Sequence, residues 1–125
     1  MINVLPVTDS DTLKGIFEES GCEFNENSGC VVAADSTEIL GRCLYYIDDE
    51  SIKIIDVQPV DDIMLADGIL RSALHVADYR GITEAFYLDS APEQLFDSLD
   101  FIKSAADKSL KIEKLHESCC SCEKN

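Results

Sequence analysis

Basic residues are scarce in this chain: ten Lys and Arg stand against 25 Asp and Glu in 125 residues, a formal net charge of −15. The deficit is uneven. Residues 1–100 hold only Lys14, Arg42, Lys53, Arg71 and Arg80 against 21 acids, a net of −16, whereas residues 101–125 hold five Lys against four acids. Affinity for nucleic acid comes largely from Lys and Arg displacing condensed counterions, and anionic lipid heads are repelled by the same acidic field. Nucleic-acid and membrane partners are thereby excluded; a small cationic amine or a basic protein is the expected partner. Long apolar runs are lacking too. No stretch approaches the ~20 apolar residues of a membrane span, and Met1–Ser10 has neither the basic n-region nor the apolar h-region of a secretory signal. A cytoplasmic protein is expected, with its six cysteines reduced. Repeats and linkers are also missing.

What is present is a core: 46% of the residues are hydrophobic, enough for one packed domain, placed at residues 1–116 with a Cys-rich tail at 117–125. Ile2 to Val7 reads as a strand, and Ser10 or Asp11 is the expected N-cap of a short helix that stops at Ser20-Gly21. Three strands follow at Cys30–Ala34, Ile39–Ile47 and Ile52–Val57, joined by the acidic turns Asp35-Ser36-Thr37 and Asp48-Asp49-Glu50. In the middle strand Ile39, Cys43, Tyr45 and Ile47 share one face. The third strand is the most apolar, as a central strand covered on both sides requires. From Asp62 to Tyr79 the apolar residues recur at i, i+3, i+4 spacing, predicting the longest helix, with His75 inside it; Ile82–Leu88 resumes as a parallel strand. A short helix over Pro92–Leu99 and one or two final strands, drawn from Phe101–Lys103 and the alternating Leu110, Ile112 and Leu115, complete an α/β (α+β) fold. Its central sheet is mixed and mostly antiparallel, with helices on both faces.

The order β-α-β-β-β-α-β-α-β resembles the GNAT N-acetyltransferase fold from Ile2 to about Leu115. Val57-x-Pro59 is similar to that family's way out of its central strand, and Leu95, Leu99 and Phe101 match three positions of its late L-Y-x-x-L-G-F pattern. The resemblance implies acyl transfer from acetyl-CoA to an amine, with pantetheine held on the Val57 strand and the CoA pyrophosphate on the N–H groups that open the long helix. Counted from Pro59, the basic or amide position of the family's phosphate loop falls on Asp62 and its two glycines on Leu65 and Asp67. The general-acid Tyr falls on Phe96, and the Gly before the last match falls on Asp100. If acyl transfer persists, a hydroxyl must come from elsewhere, and Tyr45, Tyr46 and Tyr87 lie on predicted strands near the cleft. A second reading stands beside this one: Asp61 and Asp62 are good N-cap residues, Asp67 pairs with Arg71 four residues on, and the chain is a binding protein without catalysis.

His116, Cys119, Cys120 and Cys122 place one imidazole and three thiols within seven residues, a donor set for Zn²⁺ or Cu(I). The paired C-x-x-C knuckles of a zinc module are absent, and an exposed redox-labile end is the competing reading. Cys43 is expected in the core.

Overall fold

The computed structural model describes residues 2–115. Along them follow β1 (Asn3–Pro6), α1 (Ser10–Glu19), β2 (Ser28–Ala34), β3 (Ile39–Ile47), β4 (Ser51–Gln58), α2 (Ile63–Tyr79), β5 (Glu84–Tyr87), α3 (Glu93–Ser98), β6 (Ile102–Ser104) and β7 (Ser109–Leu110). The strands form one sheet in the order β1-β2-β3-β4-β5-β7-β6. Every pairing is antiparallel except β4 with β5, which the α2 crossover makes parallel.

Period-two alternation sends the strand side chains into two cores. On one face Cys43, Tyr45, Ile52, Ile54 and Val57 pack against Ala66, Ile69, Leu70, Ala73, Leu74 and Ala77 of α2 and against Leu95 and Phe96 of α3. On the other, Cys30, Leu44 and Ile55 pack beneath Phe17 of α1. Each large side chain so buried contributes ~1.5–3 kcal/mol. Helices thus cover both faces, as the sequence pattern requires. No helix among the described residues is long and apolar enough to cross a membrane.

α1, α2 and α3 end in the same hydrogen-bonded motif. After α1, the N–H of Cys22 donates to Phe17 O at 2.9 Å and that of Gly21 to Glu18 O at 3.1 Å; Ile82 and Gly81 repeat this on Ala77 and Asp78 after α2. The turn demands a left-handed residue, supplied by Gly21 (φ 73°) and Gly81 (φ 78°). α3 makes the same bonds, Phe101 to Phe96 O and Asp100 to Asp97 O, but its left-handed residue is Asp100 (φ 59°).

Three local expectations need correction. The cap of α1 is Asp9, not Ser10 or Asp11: Asp9 is extended (φ −81°, ψ 120°) and its carboxylate accepts the Thr12 N–H at 2.9 Å, whereas Ser10 is already helical. Ile39 does not share the buried face of Cys43, Tyr45 and Ile47. It is 61% exposed, because the β2/β3 register shifts at Ala33/Ala34. Ile112 and Leu115 are buried but not in a strand: β7 stops at Leu110, and the Lys114 and Leu115 N–H groups bond locally to Lys111 and Ile112.

The free edge of β1 is blunted. Val7 N–H donates inward to Cys30 O, so by antiparallel alternation Leu5 and Asn3 also point inward and Val4 and Pro6 outward. Pro6 has no N–H, which leaves Val4 as the only outward donor of the strand.

Candidate functional site

β4 and β5 pair only from Ser51–Ile54 to Glu84–Tyr87, with one further bond from Leu88 N–H to Ile54 O at 2.9 Å. Beyond that point β4 runs on through Gln58 while β5 has ended, so the two parallel strands part. At the same place β4 carries an extra residue. Tyr45 faces Ile54 and Leu44 faces Asp56, leaving Ile55 without a partner, a β-bulge. Alternation puts the Ile55 side chain in the α1 core, the bulge returns Val57 to the face of Ile54, and the Ile55 carbonyl accepts the Ser90 hydroxyl at 2.8 Å.

Below the bulge, Gln58 and Pro59 lie hard against β3. A Cβ placed on Gly41 would sit 2.5 Å from Gln58 O, 2.7 Å from Ile69 Cδ1 and 2.8 Å from Pro59 Cδ. Glycine is thus what lets the chain leave β4 and enter α2 at this angle. Asp62 caps that helix: its Oδ1 accepts the Leu65 N–H at 3.2 Å and its carbonyl the Ala66 N–H at 2.9 Å.

The four positions aligned with a phosphate loop are therefore distributed as follows. Val57 is fully buried, its side chain in the core. Asp62 and Leu65 meet at the helix start, bonded to each other. Asp67 is engaged on the flank of α2 with Arg71 at 3.0 Å, the guanidinium lying 5.1 Å from the Phe101 ring centre.

Two clefts flank the first turn of α2 and share Ile63. One, of about 420 Å³, lies between that turn and α3, with Val60, Pro92, Glu93, Leu95 and Ser98 in its lining. The other, of about 610 Å³, lies toward β1 and joins Ile2, Leu40 and Met64 to Asp61 and Asp62. Among the described residues no Lys or Arg lines either.

The three candidate tyrosines are not brought together. Tyr45 is buried, its ring seated over Gly29, and burial pushes its hydroxyl up to about 12. Tyr46 faces the α1 side, where it donates to Glu23 O at 2.5 Å; burial, then the Cys22 and Glu23 charges, raise it. Only Tyr87 is bonded to a residue that lines a cleft: it donates to Glu93 at 2.6 Å, and burial followed by that carboxylate pushes it up to about 12. Phe96 is fully buried, 5.3 Å from the Tyr87 ring.

Burial pushes Cys30 up to about 11, the Arg42 charge opposing it, and raises Cys43 well above its ordinary value. Neither supplies a thiolate near neutrality. No group of three or more metal-ligating side chains converges among the described residues; His116, Cys119, Cys120 and Cys122 lie outside them. His75 is exposed on α2. Sequence reading missed Ile55, Ser90 and Glu93. The doubled Ile54-Ile55 was the one available sign of the bulge; Ser90 carries no pattern, since its partner lies 35 residues away.

The fold is similar to solved GNAT acetyltransferases. A ribosomal-protein-alanine N-acetyltransferase from Brucella melitensis biovar Abortus 2308 superposes with a TM-score of 0.57 at 10% identity, covering 79% of this chain and 90% of that one. A GNAT family acetyltransferase from Elizabethkingia anophelis with acetyl-CoA bound gives 0.55 at 15%, covering 80% and 74%. An aminoglycoside acetyltransferase from an uncultured soil metagenomic sample gives 0.55 at 15%, covering 80% and 84%. The chain matches no protein-family model and no curated protein.

Proposed function

We propose, from the premise that this chain has a GNAT-like fold, that it is a divergent acyl-CoA-dependent N-acyltransferase acting on a cationic amine, with its acyl donor in the wedge where β4 and β5 part. The parting at Ile54, with the bulge at Ile55, carries this reading. Separated parallel strands leave backbone amides that an extended amide-bearing chain such as pantetheine pairs with as an added strand does. When bound, CoA supplies an activated thioester. The chain's own residues hold and orient: Ser90 fixes the Ile55 carbonyl, Glu93 holds the Tyr87 hydroxyl beside the cleft, and the acidic surface concentrates a cationic acceptor.

The fit to CoA is divided. The wedge suits pantetheine, whereas the start of α2 suits a diphosphate poorly, because Asp62 already takes the Leu65 N–H and Asp61 stands exposed beside it. A carboxylate ~5 Å from a phosphate costs ~1–3 kcal/mol at the dielectric of a protein surface, a 10- to 100-fold loss of affinity, roughly. Thermal melting with acetyl-CoA tests the reading. A ligand at about 100 times its Kd adds ~2.7 kcal/mol, a rise of roughly 3–8 °C for a domain of this size. Such a rise is expected at millimolar acetyl-CoA, with CoA thiol released on adding a polyamine or a lysine peptide; an unmoved melt sinks it.

A second reading, a GNAT-fold binding protein without catalysis, is favoured by Phe96, which brings no hydroxyl, and by a Tyr87 proton already committed to Glu93. It predicts a thermal shift with no thiol release.

A further inference from the structure

Independently of acyl transfer, we propose that the face formed by Ile2 ahead of β1, the start of β3 and the first turn of α2 docks a basic partner protein through a cationic segment that carries apolar side chains. Met64 is 87% exposed, Ile2 51%, and Val60 and Ile63 45% each. Scattered apolar side chains are normal on a surface, but these gather at one helix end, and Ile2, Ile63 and Met64 line the 610 Å³ groove together with Leu40. The sequence had the means to avoid this exposure, since caps and first turns accept polar residues readily.

Charge selects the occupant. Asp61 and Asp62 stand in the same groove, both exposed; one oxygen of Asp62 caps Leu65, and among the described residues the other accepts no hydrogen bond. Among the described residues no Lys or Arg lines this groove; Arg71 pairs with Asp67 and Arg42 donates to the Ser20 hydroxyl at 2.8 Å. Within residues 1–100 the net charge is −16. An apolar groove with an acidic wall in such a field attracts a segment of alternating or amphipathic Lys/Arg and apolar residues and speeds its encounter. A second copy of this chain fits badly, because it brings the same negative charge and because Pro6 leaves β1 with a single outward N–H. A purely polar cation leaves Ile2 and Met64 in water.

The test uses the full chain and two synthetic peptides of equal charge, one alternating Lys and Leu and one alternating Lys and Ser, with fluorescence anisotropy and methyl NMR as readouts. The Lys/Leu peptide is expected to bind at least about tenfold tighter than Lys/Ser and to shift the methyl signals of Ile2, Ile63 and Met64. D61N with D62N, which keeps the helix cap, and M64S with I2S are each expected to weaken it about tenfold. D48N with D49N, on the distant β3–β4 turn, is expected to change it less than about twofold. Melting curves check that every variant folds. Equal binding of the two peptides, with both lost at high salt, overturns the proposal in favour of diffuse charge. Indifference to the groove variants also overturns it, as does light scattering that finds a dimer which M64S dissolves.

Discussion

Asp100 stands where the family pattern has glycine, and the structure gives the reason glycine is found there: the residue has φ 59° and closes the turn that ends α3. Asp tolerates the left-handed region better than most residues, and here Lys111 lies 3.3 Å and Lys114 3.7 Å from its carboxylate, while Lys114 also donates to Leu99 O at 2.7 Å. Asp100→Gly is therefore expected to leave the melting temperature nearly unchanged, whereas Asp100→Val lowers it by about 5 °C; an indifferent Val variant denies that the turn is formed. The same scale holds the acids of the α2 entrance. Replacing Asp61 and Asp62 with Asn removes two negative charges and keeps a cap, so calorimetry is expected to find CoA bound about tenfold tighter. No change means that the phosphates lie elsewhere. Asp62 and the Asp67–Arg71 pair were legible in the sequence because helix caps and i,i+4 pairs are local. The tyrosines were not, since Tyr45 and Tyr46 go to opposite faces and a strand's register decides which face meets the cleft.

At the level of elements, β3, β4 and α2 were readable almost to the residue: alternation marks the strands, and a seventeen-residue helix with six buried apolar positions writes its period plainly. Two irregularities were not. The register shift at Ala33/Ala34 exposes Ile39, and the doubled Ile54-Ile55 reads equally as a strand covered on both faces and as a bulge. Gly41 shows how tightly β3, β4 and α2 are joined. Gly41→Ala must displace Gln58, Pro59 or Ile69, at a cost of ~1–3 kcal/mol. Urea melts are expected to give that loss, together with weaker acetyl-CoA binding, because the start of α2 moves. A neutral substitution would mean that this junction yields easily.

For the whole molecule the governing quantity is a charge of −15, whose self-repulsion opposes compactness at neutral pH. Raising NaCl at pH 7 is expected to raise the melting temperature; a fall would assign more weight to the ion pairs of Asp67, Asp89 and Asp100. Acid acts with two signs. Hydrogen bonds from Thr12 lower the pKa of Asp9, and those from Thr37 lower that of Asp35. Asp48 is lowered by the Glu50 and Ser51 N–H groups, and Asp100 by Lys111. Their folded values lie below the ordinary 3.8, so their stabilisation is present above about pH 4 and lost as the pH falls through the lower values. Relief of repulsion works the other way down to the isoelectric point near 4.2. A melting temperature that holds or rises from pH 7 to about 5 and drops below about 4 is the expected profile. Finally, β4 exceeds its partner by one residue. A chain lacking Ile55 keeps its inside-outside alternation, because Tyr45–Ile54 and Leu44–Asp56 become consecutive steps of a regular ladder. It forfeits ~2 kcal/mol of burial along with the kink at the wedge. Folding and guest-holding would then be separable by the deletion of a single residue.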